Sequence, residues 1–383
     1  MADIRDQDGF GTRCVHAGAT PDPVHGAVNP AIQLSTTFVQ PDVASPKTFD
    51  YSRGGNPTRE ALEAAIASLE GGSSGHAFSS GLSAMDACLR LLGSGDHVVC
   101  AEDAYGGSIR LLNRITSKSG IDVTFVDTQD LDATQAAMTD ATKLVIMETP
   151  TNPLLRVSDI RAVAGITHDA GARLVVDNTF MSPAMQQPLS LGADIVFHSA
   201  TKFIGGHSDV LAGLLVTDDA DLAEELTFVQ MAVGAVCPPF DAYMLLRGIR
   251  TLHLRTQQQA ANAQVLAERI AAQIGAEHVL YPGLDSHPHH DVHARQAKSG
   301  GALLSFRLQD AAAARDLVRK TRIFQLAESL GAVESLIQVP AAMTHASVPK
   351  EMRERTGLTD GLVRVSVGIE DVEDQWDDLS RAF

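Results

Sequence analysis

Short apolar runs recur along the first two thirds of the chain, and they constrain the fold more than any other sequence feature. The runs cover residues 97–101, 123–126, 144–148, 174–177, 195–198 and 213–216. Stretches with helical periodicity lie between most of them, at residues 82–92, 106–118 and 158–169. Because the runs do not alternate apolar with polar residues, they predict strands buried on both faces and joined by crossover helices in a mainly parallel sheet. Ligands of such sheets bind at the carboxyl ends of the strands.

The segment before these runs has a different character. Residues 1–57 contain many residues that break helices and strands, as in Thr20-Pro-Asp-Pro, and predict an irregular arm. An arm of this length is expected to lie across a neighbouring subunit rather than to extend into solvent. Regular structure begins where Asn56 can cap a helix and Pro57 suits its first turn.

The last third of the chain predicts a second domain. A long helical tract rich in Ala, Gln and Leu covers residues 241–274, and strand candidates follow at 302–306, 323–326 and 362–367. We therefore expect three parts, which are an N-terminal arm at 1–57, a ligand-binding α/β domain at 58–240 and a smaller C-terminal α/β domain at 241–383.

The charge of the chain limits its partners. Its 383 residues include 30 Lys and Arg against 47 Asp and Glu, a formal net charge of −17. This charge repels polyanions, so we expect neither nucleic acid nor an anionic membrane surface as a partner. Any site for an anionic ligand must therefore be local.

Cysteine usage and hydropathy indicate the compartment. Cys14, Cys88, Cys100 and Cys237 form no Cys-x-x-Cys pair, which predicts reduced core thiols rather than disulfides or a zinc site. The first residues are acidic and lack the apolar segment of a signal peptide. No apolar run approaches the roughly 18 residues that a membrane span needs. We expect a cytoplasmic protein.

A turn of small residues follows the short apolar segment that ends at Phe78. In Ser79-Ser-Gly-Leu-Ser, small side chains leave backbone N–H groups exposed at a helix start, which suits a phosphate group. Such turns are common without a ligand, so this signal alone is weak. The chain has no Gly-x-x-x-x-Gly-Lys-Ser/Thr sequence and no Gly-x-Gly-x-x-Gly at a strand-to-helix turn, which disfavours ATP and NAD.

Two charged residues stand at the ends of neighbouring predicted strands. Asp177 ends its run, where a buried carboxylate is costly unless it meets a cation, although it could also cap a helix. Lys202 lies just beyond the next strand and could alternatively be a surface residue. Together with the phosphate turn, they are the parts that pyridoxal 5′-phosphate requires: an amine for an imine bond, an acid for the pyridine nitrogen and N–H donors for the phosphate.

Longer motifs connect this arrangement with a known family. They are Tyr51-Ser-Arg-Gly-Gly-Asn-Pro-Thr-Arg, Asp103-Ala-Tyr-Gly-Gly-Ser, Glu148-Thr-Pro-Thr-Asn-Pro, Asp177-Asn-Thr-Phe, Ser199-Ala-Thr-Lys, Gly206-His-Ser-Asp and Ala327-Glu-Ser-Leu-Gly. With these motifs, the sequence resembles the cystathionine γ-synthase and γ-lyase family of Cys/Met metabolism over almost its whole length. The resemblance implies a fold-type I, aspartate-aminotransferase-like transferase fold of the α/β class, with a mainly parallel seven-stranded sheet and a smaller C-terminal α/β domain.

The resemblance also implies roles around the cofactor, pyridoxal 5′-phosphate. It makes Lys202 the catalytic amine that binds the cofactor covalently, Asp177 the partner of the pyridine nitrogen, and Tyr105 a ring that stacks on the cofactor and handles protons. The implied phosphate ligands are Gly81, Leu82, Ser199 and Thr201, together with Tyr51 and Arg53 from a neighbouring subunit. Because of that contribution, a homodimer is the expected minimal active unit, and relatives of this kind suggest a homotetramer.

The implied substrate is a sulfur-containing amino acid. Arg364 resembles the clamp on the substrate α-carboxylate, with Asn152 and Ser329 nearby, and Glu328 is placed to meet the distal ammonium of cystathionine. The expected reaction is γ-elimination of L-cystathionine to cysteine, 2-oxobutanoate and ammonia. It is preferred over γ-replacement because segments 177–183 and 340–348 resemble γ-lyases.

Other activities stay open at this point. They are γ-replacement on an O-acylhomoserine with cysteine, a related sulfhydrylase or methionine γ-lyase activity, and a regulatory relative that binds the cofactor without turnover. The segment Ser286-His-Pro-His-His-Asp-Val-His could in principle bind a metal. Its Pro and Asp favour a solvated loop before a helix, and the family uses no metal, so we expect no metal site.

Overall fold

Two β-sheets organise the chain. The computed structural model describes residues 7–43, 47–346 and 350–383. The larger sheet has seven strands, which are β1 (Ser74–Phe78), β2 (His97–Ala101), β3 (Asp122–Val126), β4 (Thr142–Glu148), β5 (Arg173–Asp177), β6 (Ile195–Ser199) and β7 (Gly213–Thr217). Their spatial order is β1-β7-β6-β5-β4-β2-β3, and β7 is antiparallel to both of its neighbours while the other paired strands run parallel. The structure therefore has the mainly parallel sheet that the apolar runs predict, with the seven strands that the resemblance implies.

Helices cover both faces of this sheet. Those near it are α1 (Phe10–His16), α2 (Pro57–Glu70), α3 (Gly81–Leu89), α4 (Gly106–Arg114), α5 (Leu131–Ala137), α6 (Ile160–Asp169), α7 (Ser182–Met185), α8 (Ala220–Val233) and α9 (Pro239–Ile249). Successive strand side chains point to opposite faces. Val145 and Val176 therefore lie in one core with α2, α6 and α9, whereas Leu144 and Val175 lie in the other with α3, α4 and α8.

The C-terminal region has its own sheet and core. Its five strands are β8 (Val279–Leu280), β9 (Leu303–Arg307), β10 (Gln325–Leu326), β11 (Leu336–Gln338) and β12 (Leu362–Ser366), in the order β10-β11-β12-β9-β8. Its helices are α10 (Leu252–Ile274), α11 (His290–Gln296), α12 (Ala311–Lys320), α13 (Lys350–Thr356) and α14 (Val372–Ala382). Side chains of α10, α12 and α14 pack on this sheet in a separate core.

One prediction for this region is confirmed and another was wrong in detail. The helical tract predicted at 241–274 is helical and consists of two helices, α9 and α10; the Arg255 side chain on α10 donates to the carbonyls of Gly248 on α9 and of Phe203, both at 2.8 Å. Of the strand predicted at 323–326, only the two exposed residues of β10 form a strand. The backbone N–H groups of 322–324 donate to the Asp378 carboxylate instead of to a neighbouring strand.

Helix α10 passes from one core to the other. Leu252 at its start belongs to a core of the large sheet, and Ile270 near its end belongs to the core of the small sheet. The domain boundary at 240/241 stays a prediction.

The N-terminal arm is not irregular throughout. Residues 10–16 form α1, where Phe10 and Cys14 pack into a core and the buried Arg13 donates to the carbonyl of Ser68. The prediction was wrong for this segment because the helix is short and its N-cap, Gly9, makes no side-chain cap. Residues 1–6 and 44–46 of the predicted arm lie outside the described residues.

Buried thiols and imidazoles fill parts of the interior. The four cysteines are buried and unpaired, which agrees with the prediction of core thiols. The prediction of a solvated His-rich loop before a helix was wrong for two histidines, since His287 and His293 are buried and hydrogen-bonded to the carbonyls of Leu155 (3.0 Å) and Ser299 (2.7 Å). Among the residues that the structure describes, no three His, Cys, Asp or Glu side chains are grouped to hold a metal ion. Within the same ranges, no helix has the length and apolar character to cross a membrane.

Candidate active site

A cavity of about 440 Å³ lies at the carboxyl ends of β4, β5 and β6. This is the edge where parallel sheets bind ligands. All of the predicted site residues except Tyr51 and Arg53 line it, namely Gly81, Leu82, Tyr105, Asn152, Asp177, Ser199, Thr201, Lys202, Glu328, Ser329 and Arg364. The fold thus brings together residues that are as many as 283 positions apart in the sequence, the separation of Gly81 from Arg364.

The start of α3 forms one wall of this cavity. The Ser80 side chain caps the helix by accepting from the backbone N–H of Ser83 at 3.1 Å. A Cβ at Gly81 would lie 3.1 Å from Cβ of Ser199, so glycine lets the helix start approach the end of β6. The first N–H groups of a helix have no partner within the helix and favour an anion. This wall therefore fits a phosphate group.

Asp177 presents a buried acid at the end of β5. Its side chain is 8% exposed, and Oδ1 accepts from the backbone N–H of Thr179 at 2.9 Å. Burial raises the pKa of Asp177 to about 6, although the donors of Thr179 and the charge of His198 oppose this shift. Among the described residues, no Lys or Arg forms an ion pair with this carboxyl group. A cationic ring nitrogen would therefore find an acid without a competing cation.

Lys202 lies in a turn that follows β6. Its backbone N–H donates to the carbonyl of Ser199 at 3.1 Å, and its Nζ donates to Oγ of Ser329 at 2.9 Å. Burial lowers the pKa of Lys202 to about 8; the charge of Arg364 lowers it further, and that of Glu328 opposes the shift. A substantial fraction of the amine is therefore uncharged and nucleophilic near pH 8.

Arg364 reaches the cavity from β12 of the small sheet. Nη1 donates to Oδ1 of Asn152 at 2.9 Å, and Nη2 donates to the carbonyl of Ser329 at 2.6 Å. Burial lowers the pKa of Arg364 to about 9, while Glu328 and Glu148 raise it. Ser329 has a φ of 101°, a strained backbone conformation for a residue other than glycine. Strain of this kind persists where surrounding contacts hold the residue in place. The contacts of Ser329 in turn fix the Lys202 amine and the Arg364 guanidinium.

Sequence reasoning missed several residues that line the cavity, and two of them hold neighbouring backbone in place. Glu148, 4% exposed at the end of β4, accepts from the backbone N–H of Tyr105 at 2.8 Å. Thr179 accepts from the backbone N–H of Ser199 through Oγ1 at 2.8 Å. The available signal for Glu148 was its place at the end of an apolar run, like that of Asp177.

Tyr51 and Arg53 lie outside the cavity of their own chain. Tyr51 is 49% exposed, the Arg53 guanidinium lies 5.6 Å from the centre of its ring, and Nη1 of Arg53 donates to the carbonyl of Met231 at 2.6 Å. A single chain does not bring these side chains to the other site residues. Their contribution to a neighbouring subunit stays a prediction.

Comparisons with known proteins identify relatives of this chain. Residues 11–383 match the family model described as Cys/Met metabolism PLP-dependent enzyme. A cystathionine γ-synthase of Mycobacterium tuberculosis is 52% identical, with 98% of this chain and 97% of the relative covered. A cystathionine β-lyase of Lactococcus lactis subsp. cremoris is 49% identical, with 97% and 98% covered. The structure of cystathionine γ-lyase from Lactobacillus plantarum complexed with L-serine has a TM-score of 0.93 at 41% identity, with 98% of both chains covered.

These findings confirm the predicted family, the fold class and the cofactor. The relatives are named for three different reactions of cystathionine metabolism, so the comparisons place the chain among enzymes of this metabolism without choosing one reaction. Since the family model covers nearly the whole chain, the protein belongs to the family of pyridoxal-phosphate-dependent enzymes of Cys/Met metabolism.

Proposed function

We propose that this enzyme catalyses γ-elimination of L-cystathionine, releasing cysteine, 2-oxobutanoate and ammonia. The observation that carries the proposal is that Lys202, Arg364 and Glu328 line one cavity. Cystathionine has an amino-acid group at each end. A reactive amine and a guanidinium suit the end that reacts, and a carboxylate suits the ammonium of the other end.

The cavity residues fit the cofactor of the family. Bound pyridoxal phosphate supplies an aldehyde that condenses with amines and a ring that withdraws electrons from the attached carbon. The N–H groups of Gly81 and Leu82, with the hydroxyls of Ser199 and Thr201, hold its phosphate. Asp177 would keep a proton on the pyridine nitrogen, because a negative charge on its buried carboxyl group favours a cationic partner.

Lys202 moves protons at the reacting carbons. Its lowered pKa leaves the released amine partly uncharged, so Nζ can remove the proton from Cα of the substrate and return protons later. The hydrogen bond to Oγ of Ser329 orients Nζ between these steps. Tyr105, which precedes α4 at the cavity wall, would stack on the bound cofactor and take part in proton transfer.

Arg364 and Glu328 determine how the substrate lies. The planar guanidinium of Arg364 binds the α-carboxylate, and Asn152 holds the guanidinium from behind. Glu328 stands on the exposed rim of the cavity, where its carboxylate meets the distal ammonium. The two charges thus select for a substrate with ionic groups at both ends.

Two other reactions have specific support. The Mycobacterium tuberculosis relative is named a γ-synthase, which favours γ-replacement, and the Lactococcus lactis relative is named a β-lyase. Elimination at Cβ is not among the reactions that the sequence motifs indicate. Two sequence segments, 177–183 and 340–348, favoured γ-elimination. Residues 347 and 348 of the second segment lie outside the described residues.

Product analysis separates these reactions. Holoenzyme incubated with L-cystathionine alone should release 2-oxobutanoate and cysteine. Pyruvate and homocysteine would instead indicate β-elimination, and faster formation of cystathionine from an O-acylhomoserine and cysteine would indicate γ-replacement. A protein that binds the cofactor but releases no oxoacid or thiol from any of these substrates would be a regulatory relative. The Lys202→Ala variant is the blank in each assay.

We also propose that the minimal active unit is a homodimer, which could pair further into a homotetramer. The support is the position of Tyr51 and Arg53, which do not line the cavity of their own chain and are exposed. In a dimer, their hydroxyl and guanidinium bind the cofactor phosphate of the neighbouring subunit.

A further inference from the structure

Two carboxyl groups share the buried edge of the large sheet. Glu148 ends β4 and Asp177 ends β5, and the two residues are paired across the parallel ladder. They are 4% and 8% exposed, and both line the cavity. The proposed function uses only Asp177, so the second acid needs an explanation.

Glu148 connects several parts of the active site. Its Oε2 accepts from the backbone N–H of Tyr105, the residue that precedes α4 and has no side-chain cap of its own. The backbone N–H of Asn152 also interacts with this carboxyl group. Asn152 in turn accepts from Arg364. The Glu148 side chain therefore fixes two parts of the site. They are the backbone turn at Tyr105 and the segment of Asn152, which binds the Arg364 guanidinium.

The surroundings of Glu148 disfavour a second negative charge. The ionisable groups that face it are Asp177 from β5, Asp103 from the turn after β2, Cys100 from β2 and Arg364 from β12. Burial and the charge of Asp177 raise the pKa of Glu148 well above its usual range, and the two backbone donors only partly oppose this shift. Like charges on two buried acids at paired strand ends disfavour ionisation of both, which favours a state with one proton on the pair.

We propose that Glu148 is a positioning residue whose uncharged carboxyl group fixes the Tyr105 turn and leaves the single negative charge of the pair on Asp177. The assignment of that charge rests on the proposed pairing of Asp177 with the cofactor nitrogen. A neutral Glu148 leaves only one negative charge near the pyridine ring of the cofactor. It still accepts the hydrogen bond from the backbone N–H of Tyr105.

Infrared spectroscopy of the holoenzyme tests the protonation directly. Wild type at neutral pH should show a carbonyl band of a protonated carboxylic acid that Glu148→Gln removes in the difference spectrum. Glu60→Gln, an exposed residue of α2, should not remove it. Loss of a carboxylate band instead of a carboxylic acid band in Glu148→Gln would overturn the proposal.

Cofactor affinity provides a second measurement that needs no substrate. Glutamine has the shape of glutamic acid and accepts the same hydrogen bond, so Glu148→Gln should keep the cofactor Kd within about twofold, whereas Glu148→Ala should raise it about tenfold. Equal weakening in both variants would show that a charged carboxylate is required and would overturn the proposal. If Glu148→Ala does not fold, a tenfold loss in Glu148→Gln alone has the same meaning. Neither measurement depends on which substrate the enzyme uses, so a wrong choice of reaction would leave both results standing.

Discussion

Several predicted site residues of the cavity are buried or enclosed, whereas those of the N-terminal arm are exposed. Lys202, Asp177 and Arg364 are enclosed by their own chain, and burial displaces the pKa of each of them. Tyr51 and Arg53 lie on the surface, where Arg53 donates to a carbonyl of its own chain. One chain thus encloses the reactive groups of the cavity, and we propose that the arm adds binding contacts to the site of a second chain.

Loss of the reactive amine should have the largest effect. Lys202→Ala should abolish covalent attachment of the cofactor and lower turnover by roughly 10³-fold or more, because both the attachment and the proton transfers use Nζ. Borohydride reduction followed by peptide mass spectrometry should label Lys202 in wild type. The exposed Lys143→Ala variant should behave like wild type. A label on another lysine would refute the assignment.

Loss of the buried guanidinium should have the next largest effect. Arg364→Ala should lower kcat/KM by about 100-fold, since a buried charge-assisted contact to a carboxylate is lost. Steady-state kinetics with L-cystathionine measures this, and the loss should be mainly in KM. The exposed Arg319→Ala variant serves as the control. An unchanged KM would remove Arg364 from substrate binding.

The lowered pKa of Lys202 predicts a pH dependence in the protein without cofactor. The amine is protonated below its pKa of about 8 and uncharged above it, so covalent capture of pyridoxal phosphate should speed up about tenfold between pH 7 and pH 9 and then level off. Stopped-flow absorbance measures this rate. A midpoint near the usual value of a lysine would mean that the cavity does not shift its amine.

Glu328 should show the smallest effect because it is exposed at the rim. Exposed ion pairs contribute at most about 1 kcal/mol, so Glu328→Ala should weaken cystathionine binding by about fivefold or less. Methionine or homoserine derivatives, which lack the distal ammonium, should be almost unaffected. Equal losses for both kinds of substrate would remove the specificity role of Glu328.

Much of the framework could be predicted because burial leaves a direct trace in the sequence. The continuous apolar runs identified the strands of the large sheet, and the polar residues after them, such as Asp177 and Lys202, identified the cavity edge. The role of Glu148 in the site could not be predicted from the sequence, because it depends on the strand order that pairs Glu148 with Asp177. The prediction of a strand at 323–326 was wrong because backbone N–H groups of this segment donate to the carboxylate of Asp378, which is distant in the sequence.

The comparison between cavity and arm has a direct test in mixed dimers. Arg53→Ala alone should weaken cofactor binding about tenfold, as expected for one hydrogen bond to a charged group. Lys202→Ala chains lack the amine but keep the arm, and Arg53→Ala chains lack the arm contact but keep the amine. When the two variants are denatured together and refolded, each mixed dimer contains one site with both groups. At a cofactor concentration that half-saturates wild type, cofactor occupancy and activity of these dimers should rise above those of either parent, and refolded parents serve as controls. No gain in the mixed dimers would contradict the account, because Arg53 would then act within its own chain or not at all.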